Sequence, residues 1–322
     1  MLEWLLVHFC IGVAGTWLAR RYALKQSLID QPGERRSHSV ATPRGGGIAI
    51  VISLLVAAAA IGLRQPGQAP LMLAFGVGLL MVAGVGWVDD HRPLSPWIRL
   101  AVHVLAAGLF ALAVVDLYQS VWLGLAAFVA TLVLTNVWNF MDGINGLAAS
   151  QALIAAVGLA WMAGGAWGLL ALALAAACAG FLPFNFPRAR IFMGDVGSGA
   201  IGFALGALCV VAGARMGEKF ALVLLPVSVF LVDSALTLLR RIVRGERWWT
   251  PHTQHAYQGW SRAAGHGRVT IAYALVSLGV IMAGWGVMPR DAFFIAGTTG
   301  AWYMCCAFFW LVLQKKFPGA AS

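Results

Sequence analysis

Apolar stretches close to a membrane-crossing length recur from residue 2 to residue 313, and that recurrence leaves few folds open. In lipid every backbone N–H and C=O must be satisfied internally, so only helices and closed barrels can span it. A crossing helix needs about 20 apolar residues, whereas a tilted barrel strand needs about 10 with alternating polarity. The runs here have the longer length and no alternation. Residues 143–187, for instance, contain no charged side chain. Charged residues make up 11% of the chain, where a soluble domain carries about 25%. The expected fold class is therefore all-α: a polytopic transmembrane helical bundle, with residues 1–322 forming one integral membrane domain.

Charged, Pro and Gly breaks divide the chain into about eleven predicted spans. They cover 2–19, 45–63, 71–88, 99–115, 119–139, 146–163, 166–184, 197–214, 220–239, 269–288 and 293–313. The charge-free segment is split by Trp161-Met-Ala-Gly-Gly-Ala-Trp167, a Gly-Gly turn between interfacial tryptophans. The first run is expected to be retained, since no small-residue cleavage pattern follows it. If the connections alternate across the membrane, eighteen of the twenty-two Lys and Arg residues fall on one side. The positive-inside rule makes that side cytoplasmic, with the N-terminus periplasmic and the C-terminus cytoplasmic. The net charge of +10 is thereby spread over loops and forms no stripe, which argues against nucleic acid as a partner. Five cysteines lie inside apolar runs and read as small buried hydrophobes.

Most polar chemistry converges on the cytoplasmic side. Val88-Asp-Asp-His-Arg92 follows the third span. Its adjacent carboxylates repel, and a cation between them and a substrate relieves that repulsion, although a solvated acidic turn is equally simple. Asn136-Val-Trp-Asn-Phe-Met-Asp-Gly-Ile-Asn-Gly146 puts amides and Asp142 at the junction of the fifth and sixth spans, where Asp142 can cap a helix or serve a site. Phe192-Met-Gly-Asp-Val-Gly-Ser-Gly199 opens the eighth span. There Asp195 can cap the helix or hold a cation against phosphates that the helix N-terminus also favours. Pro251-His-Thr-Gln-His-Ala-Tyr257 lies in a basic loop. Asp30-Gln-Pro-Gly-Glu-Arg-Arg-Ser-His38 precedes Thr42-Pro-Arg-Gly-Gly-Gly47, whose glycines would let backbone N–H groups approach an anion. Asp233, inside the ninth span, is the one carboxylate placed within the membrane, and a charge there is a functional candidate by default.

In order, side and spacing these five segments resemble the polyprenyl-phosphate N-acetylhexosamine-1-phosphate transferases, glycosyltransferase family 4, from about Leu28 to Val269. The TPRGGG and HAYQ segments look most like the branch that primes O-antigen synthesis. The resemblance implies transfer of a sugar-1-phosphate from a UDP-N-acetylhexosamine to a polyprenyl phosphate such as undecaprenyl phosphate, releasing UMP, in a bacterial inner membrane. It implies Mg²⁺, with Mn²⁺ as a substitute, held by Asp195 and Asp89. Catalytic roles pass to Asp89, Asp90, Asp195 and His255, and substrate contacts to Asp30, Arg36, His38, Arg99, Asn139, Asp142, Asn145 and Tyr257. Association into a homodimer is left open. Three positions depart from the family pattern. Asn145 stands where a second Asp is usual, Arg99 where a Lys is usual, and Tyr257 where a second His is usual.

Overall fold

The computed structural model describes residues 1–31, 40–250 and 252–317, and each predicted apolar run is helical in it. Helix α1 is Leu2–Lys25, α2 Ile48–Arg64, α3 Ala69–His91, α4 Pro96–Tyr118, α5 Val121–Met141 and α6 Leu147–Ala163. Then come α7 Gly165–Asn185, α8 Asp195–Met216, α9 Ser228–Val243, α10 Ala256–Ala264, α11 His266–Val287 and α12 Ala292–Lys316. Among the described residues, eight helical stretches are long and apolar enough to cross a membrane, with α8 running through a 3-10 segment into α9 as one stretch of 49 residues. Helices α2 and α6, 17 residues each, are shorter.

The boundaries have local causes. Ser95, Ser120 and Asp291 cap α4, α5 and α12 by accepting from Trp97 N, Leu123 N and Phe294 N at 3.4, 3.2 and 2.8 Å. Gly164, at φ +55°, ends α6 at the expected Gly-Gly turn. The ninth predicted span is broken: Gly217–Val227 is a 3-10 segment containing Pro226, and regular α-helix resumes only at Ser228.

Helix α8 is the axis of the molecule. Every residue from Val196 to Ala212 is buried, with α2, α3, α5, α6 and α7 packed around it. Small residues make this possible, because helix association in lipid depends on close van der Waals approach rather than on exclusion of water. Outward faces remain apolar, as at Phe293, Leu112 and Leu2, exposed by 90%, 71% and 70%. Three cysteines depart from expectation here. Cys178 and Cys209 are buried, but Cys10 and Cys305 lie on outer faces and Cys306 is half-buried. An outer face in lipid suits a small hydrophobe as well as a core does.

Three features lie outside an all-helical, span-and-loop expectation. Ile29–Asp30 (β1) pairs antiparallel with Thr42–Pro43 (β2). Asp89 and Asp90 belong to the last turn of α3 instead of following it. Helix α10 stands in what reads as a loop.

Candidate active site

The site is built on the N-terminus of α8. Asp90, 2% exposed, accepts from Asp195 N through Oδ1 and from Val196 N through Oδ2, each at 3.1 Å. Those are orphan donors of the first helical turn, so a side chain of α3 caps α8. Gly86 permits the approach, since a Cβ there would overlap the Asp195 carbonyl. From the other side α2 meets α8 at Gly47 and Gly197, each without room for a Cβ because of the other's Cα. The Gly triplet does not cradle an anion as the sequence suggests. Gly46 N donates to Phe192 O at 2.9 Å and Gly47 N to Met193 O at 2.8 Å, while Phe192 N donates to Pro43 O at 2.8 Å. Two conspicuous motifs therefore bind one another, and their product is a fixed position for Asp195.

Arg99, from the first turn of α4, joins two carboxylates through one nitrogen. Its Nη1 lies 2.8 Å from Asp89 Oδ2 and 2.6 Å from Asp195 Oδ2. Leu94 N donates to the other Asp89 oxygen at 2.6 Å. Arg44 Nε stands 3.9 Å from Asp90. Of these groups, Arg99 and Asp195 line a cavity of about 350 Å³ whose wall also includes Asn139, Asp142, His103 and Asn136. Asn139 also donates to Ser198 Oγ at 3.4 Å. Burial, then the negative charges of Asp195 and Asp90, push the Asp142 carboxyl well above the ordinary carboxylate range. Four carboxyl groups, Asp89, Asp90, Asp142 and Asp195, thus stand near two arginines, Arg44 and Arg99.

The facing wall hangs from α9. Arg241, 1% exposed, donates to Glu246 Oε2 at 2.9 Å and to the carbonyls of Arg247, Trp248 and Thr250 at 3.0, 3.2 and 3.2 Å. It folds the loop so that Trp248 and Trp249 reach Trp97 across the cavity mouth, with ring centroids 5.8 and 5.9 Å away. The Arg241 and Gln254 hydrogen bonds hold the Glu246 carboxyl below its usual range. His252 and His255 follow, their rings 4.9 Å apart and both on the cavity wall. Burial, aided by His255 and Arg241, depresses His252 to about 3.

Asp89, Asp195, Arg99, Asn139, Asp142 and His255 are brought together much as the sequence suggests; Asp89 reaches the group through its bond to Arg99. Others differ. Asp90 lies behind the site with both oxygens engaged by backbone amides, so its work is to hold Asp195 rather than to touch substrate. Asn145 does not line the cavity; its amide donates to Pro187 O at 3.1 Å. Asp30 sits in β1 opposite Thr42, also off the cavity wall. Tyr257 lines the cavity, but its buried hydroxyl donates to Phe140 O at 3.0 Å. Arg36 and His38 lie outside the described residues. Sequence reasoning missed His103, Trp97, Trp248 and Trp249 as cavity residues, and of the late histidines it selected His255 without His252. Apolar spacing hides the first two, and only the folding of the Arg241 loop assembles the rest.

No group of three or more Asp, Glu, His or Cys side chains forms a ready metal cage among the described residues. That suits Mg²⁺, which is commonly held by one or two carboxylates together with water and substrate phosphates. Asp195 and Asp89 are the carboxylates that could hold such an ion, with their oxygens side by side on Arg99 Nη1.

Comparison with known sequences agrees with this geometry. The profile of glycosyl transferase family 4 matches residues 72–213, the segment carrying Asp89, Asp142 and Asp195. A probable undecaprenyl-phosphate N-acetylglucosaminyl 1-phosphate transferase of Bacillus subtilis is 30% identical over 75% of this chain and 72% of its own. A decaprenyl-phosphate N-acetylglucosaminephosphotransferase of Mycolicibacterium smegmatis is 31% identical over 79% and 72%. A phospho-N-acetylmuramoyl-pentapeptide-transferase of Shouchella clausii is 30% identical over 83% and 89%. With its motifs gathered at the start of α8 and its relatives matched over most of their length, the chain belongs to the polyprenyl-phosphate hexosamine-1-phosphate transferase superfamily, glycosyl transferase family 4.

Proposed function

We propose that this protein transfers an N-acetylhexosamine-1-phosphate from a UDP-sugar to a polyprenyl phosphate in a bacterial inner membrane. UMP is released, and the product begins an O-antigen or related envelope glycan. The observation that carries the reading is the pairing of Asp89 and Asp195 on Arg99 Nη1 at the capped N-terminus of α8, beside a cavity large enough for a substrate headgroup. Both reactants are anions, so the protein's task is to neutralise and align them.

An oxygen of the lipid phosphate attacks the phosphorus that carries the sugar, and the bond from that phosphorus to the UMP oxygen breaks. Arg99 and the α8 N-terminus supply positive potential where charge gathers. His255, opposite them, is placed to donate to the donor phosphates, and the tryptophans around Trp97 shield the cavity mouth from water. Mg²⁺, or Mn²⁺ in its place, would be held by Asp195 and Asp89 and would offset the phosphate charge. The basic loops lie at the same end as the site, which suits a cytosolic donor and a cytoplasmic C-terminus.

A secondary transporter would keep its polar groups near the bilayer midplane. Here they gather at one end, and Asp233, the carboxylate expected within the membrane, is engaged with α10. The deciding test is UMP release by purified protein in detergent with polyprenyl phosphate, Mg²⁺ and a panel of UDP-GlcNAc, UDP-GalNAc, UDP-FucNAc and UDP-QuiNAc. One donor should give lipid-dependent UMP and a mass-shifted lipid. Silence with every donor would overturn the reading.

A further inference from the structure

Asp233 is a buried carboxylate for which the transfer chemistry has no direct use. It is 3% exposed on α9, one helix behind the cavity. Its Oδ1 accepts from Ala256 N at 3.0 Å and from Thr237 Oγ1 at 3.2 Å. Its Oδ2 accepts from Tyr257 N at 3.2 Å and from the Tyr273 hydroxyl at 3.3 Å. The first two amides of α10 are thus fastened to α9, and His255 is the residue just before them. His255 Nδ1 lies 3.6 Å from Asp233 Oδ1, and this nitrogen is fully buried with no hydrogen-bond partner. The imidazole is packed among the rings of Phe140, His252 and Tyr257, with centroids 6.1, 4.9 and 5.8 Å away.

The nitrogen of a histidine that carries the proton is set by the partner of its other nitrogen. With a carboxylate beside Nδ1, that atom keeps its hydrogen, which leaves Nε2 for the cavity. We propose that Asp233 is the positioning residue of the transfer reaction: it fixes the orientation and tautomer of His255 towards the donor phosphates while capping α10. The inference rests on the function proposed above. The ionisable groups around the pair are Tyr257 on α10, Tyr273 on α11, Cys306 on α12, Arg241 on α9, and His252 and Glu246 in the loop. Arg241 is already paired with Glu246, which leaves Asp233 as the carboxylate next to His255.

The test is a double-mutant cycle on UMP release by the full-length protein, with Asp233→Asn, His255→Ala and the pair. Melting temperature and KM for the UDP-sugar accompany each rate. Asp233→Asn should lower kcat by roughly 10- to 100-fold, the usual effect of removing a group that orients a functional imidazole, and change KM for the UDP-sugar little. On the His255→Ala background, Asp233→Asn should add less than about a threefold loss, since the residues act as one unit. A loss that multiplies in the double variant would show that Asp233 only caps α10 and would overturn the proposal. If Asp233→Asn does not fold, Asp233→Glu decides the same question, because it keeps the anion but displaces it by one methylene. Its kcat loss should disappear on the His255→Ala background, and persistence of the loss would overturn the proposal. A wild-type protein that releases no UMP refutes the proposed function instead, so the two failures are distinct.

Discussion

At the scale of single residues the site depends on which carboxylates are left for chemistry and which are consumed by structure. Asp195 presents a side chain to the cavity, while its own backbone N–H is bonded to Asp90. Asp195→Asn should therefore abolish Mg²⁺-dependent UMP release and leave the melting temperature near that of the wild type. Activity within tenfold of wild type would remove Asp195 from metal binding. His252 makes a different claim. Depressed to about 3 from an ordinary value of 6.5, it is neutral in the fold and protonates more readily when unfolded. Between those values the unfolded chain binds more protons, so stability should fall as pH drops from about 6.5 towards 3. In detergent, the melting temperature of His252→Gln should decline less over that range than that of the wild type. Parallel declines would show that the imidazole is not buried as described.

At the scale of elements the decisive contacts are backbone against backbone. A Cβ at Gly197 would meet the Cα of Gly47, where no flexible side chain can give way. Gly197→Ala should thus lower the melting temperature and the rate together, since overpacking a tight contact costs about 1–3 kcal/mol. Gly67→Ala, where a Cβ meets nothing within 4 Å, is the matched control and should change neither. The apolar helices themselves were legible in the sequence because a single solvent, lipid, dictates both their length and their composition. What stayed hidden depended on partners far along the chain. Helix α10 is a nine-residue piece in polar sequence, and its cap, Asp233, lies 23 residues before Ala256. Gly47 looked like an anion binder because its partner, Met193, could not be seen from the motif. The chemical residues were easier to find than their jobs: Asp89 and Asp90 are neighbours in sequence, yet one faces Arg99 and the other a helix end.

At the scale of the whole molecule, the proposed orientation puts the site and the basic loops on the cytoplasmic side. In a background lacking the five native cysteines, Gly67→Cys should react with a membrane-impermeant thiol reagent in cells whose outer membrane is permeabilised. Arg247→Cys, exposed in the loop after α9, should stay protected until the inner membrane is opened. The reverse pattern would invert the protein and separate it from a cytosolic donor. The two walls of the cavity also differ in how they are fastened. A vice works because one jaw is bolted down, and here the bolted jaw is the seam of α2, α3 and α8. Sliding α8 by one residue, about 1.5 Å, would strip Asp90 of both amides and drive Gly197 off Gly47. The other jaw is hung from Arg241 and Asp233 on α9 and from Gln314 on α12, which donates to Gln254 O at 2.7 Å. Any widening of the cavity is therefore expected in the second jaw, while the seam of α2, α3 and α8 keeps its setting.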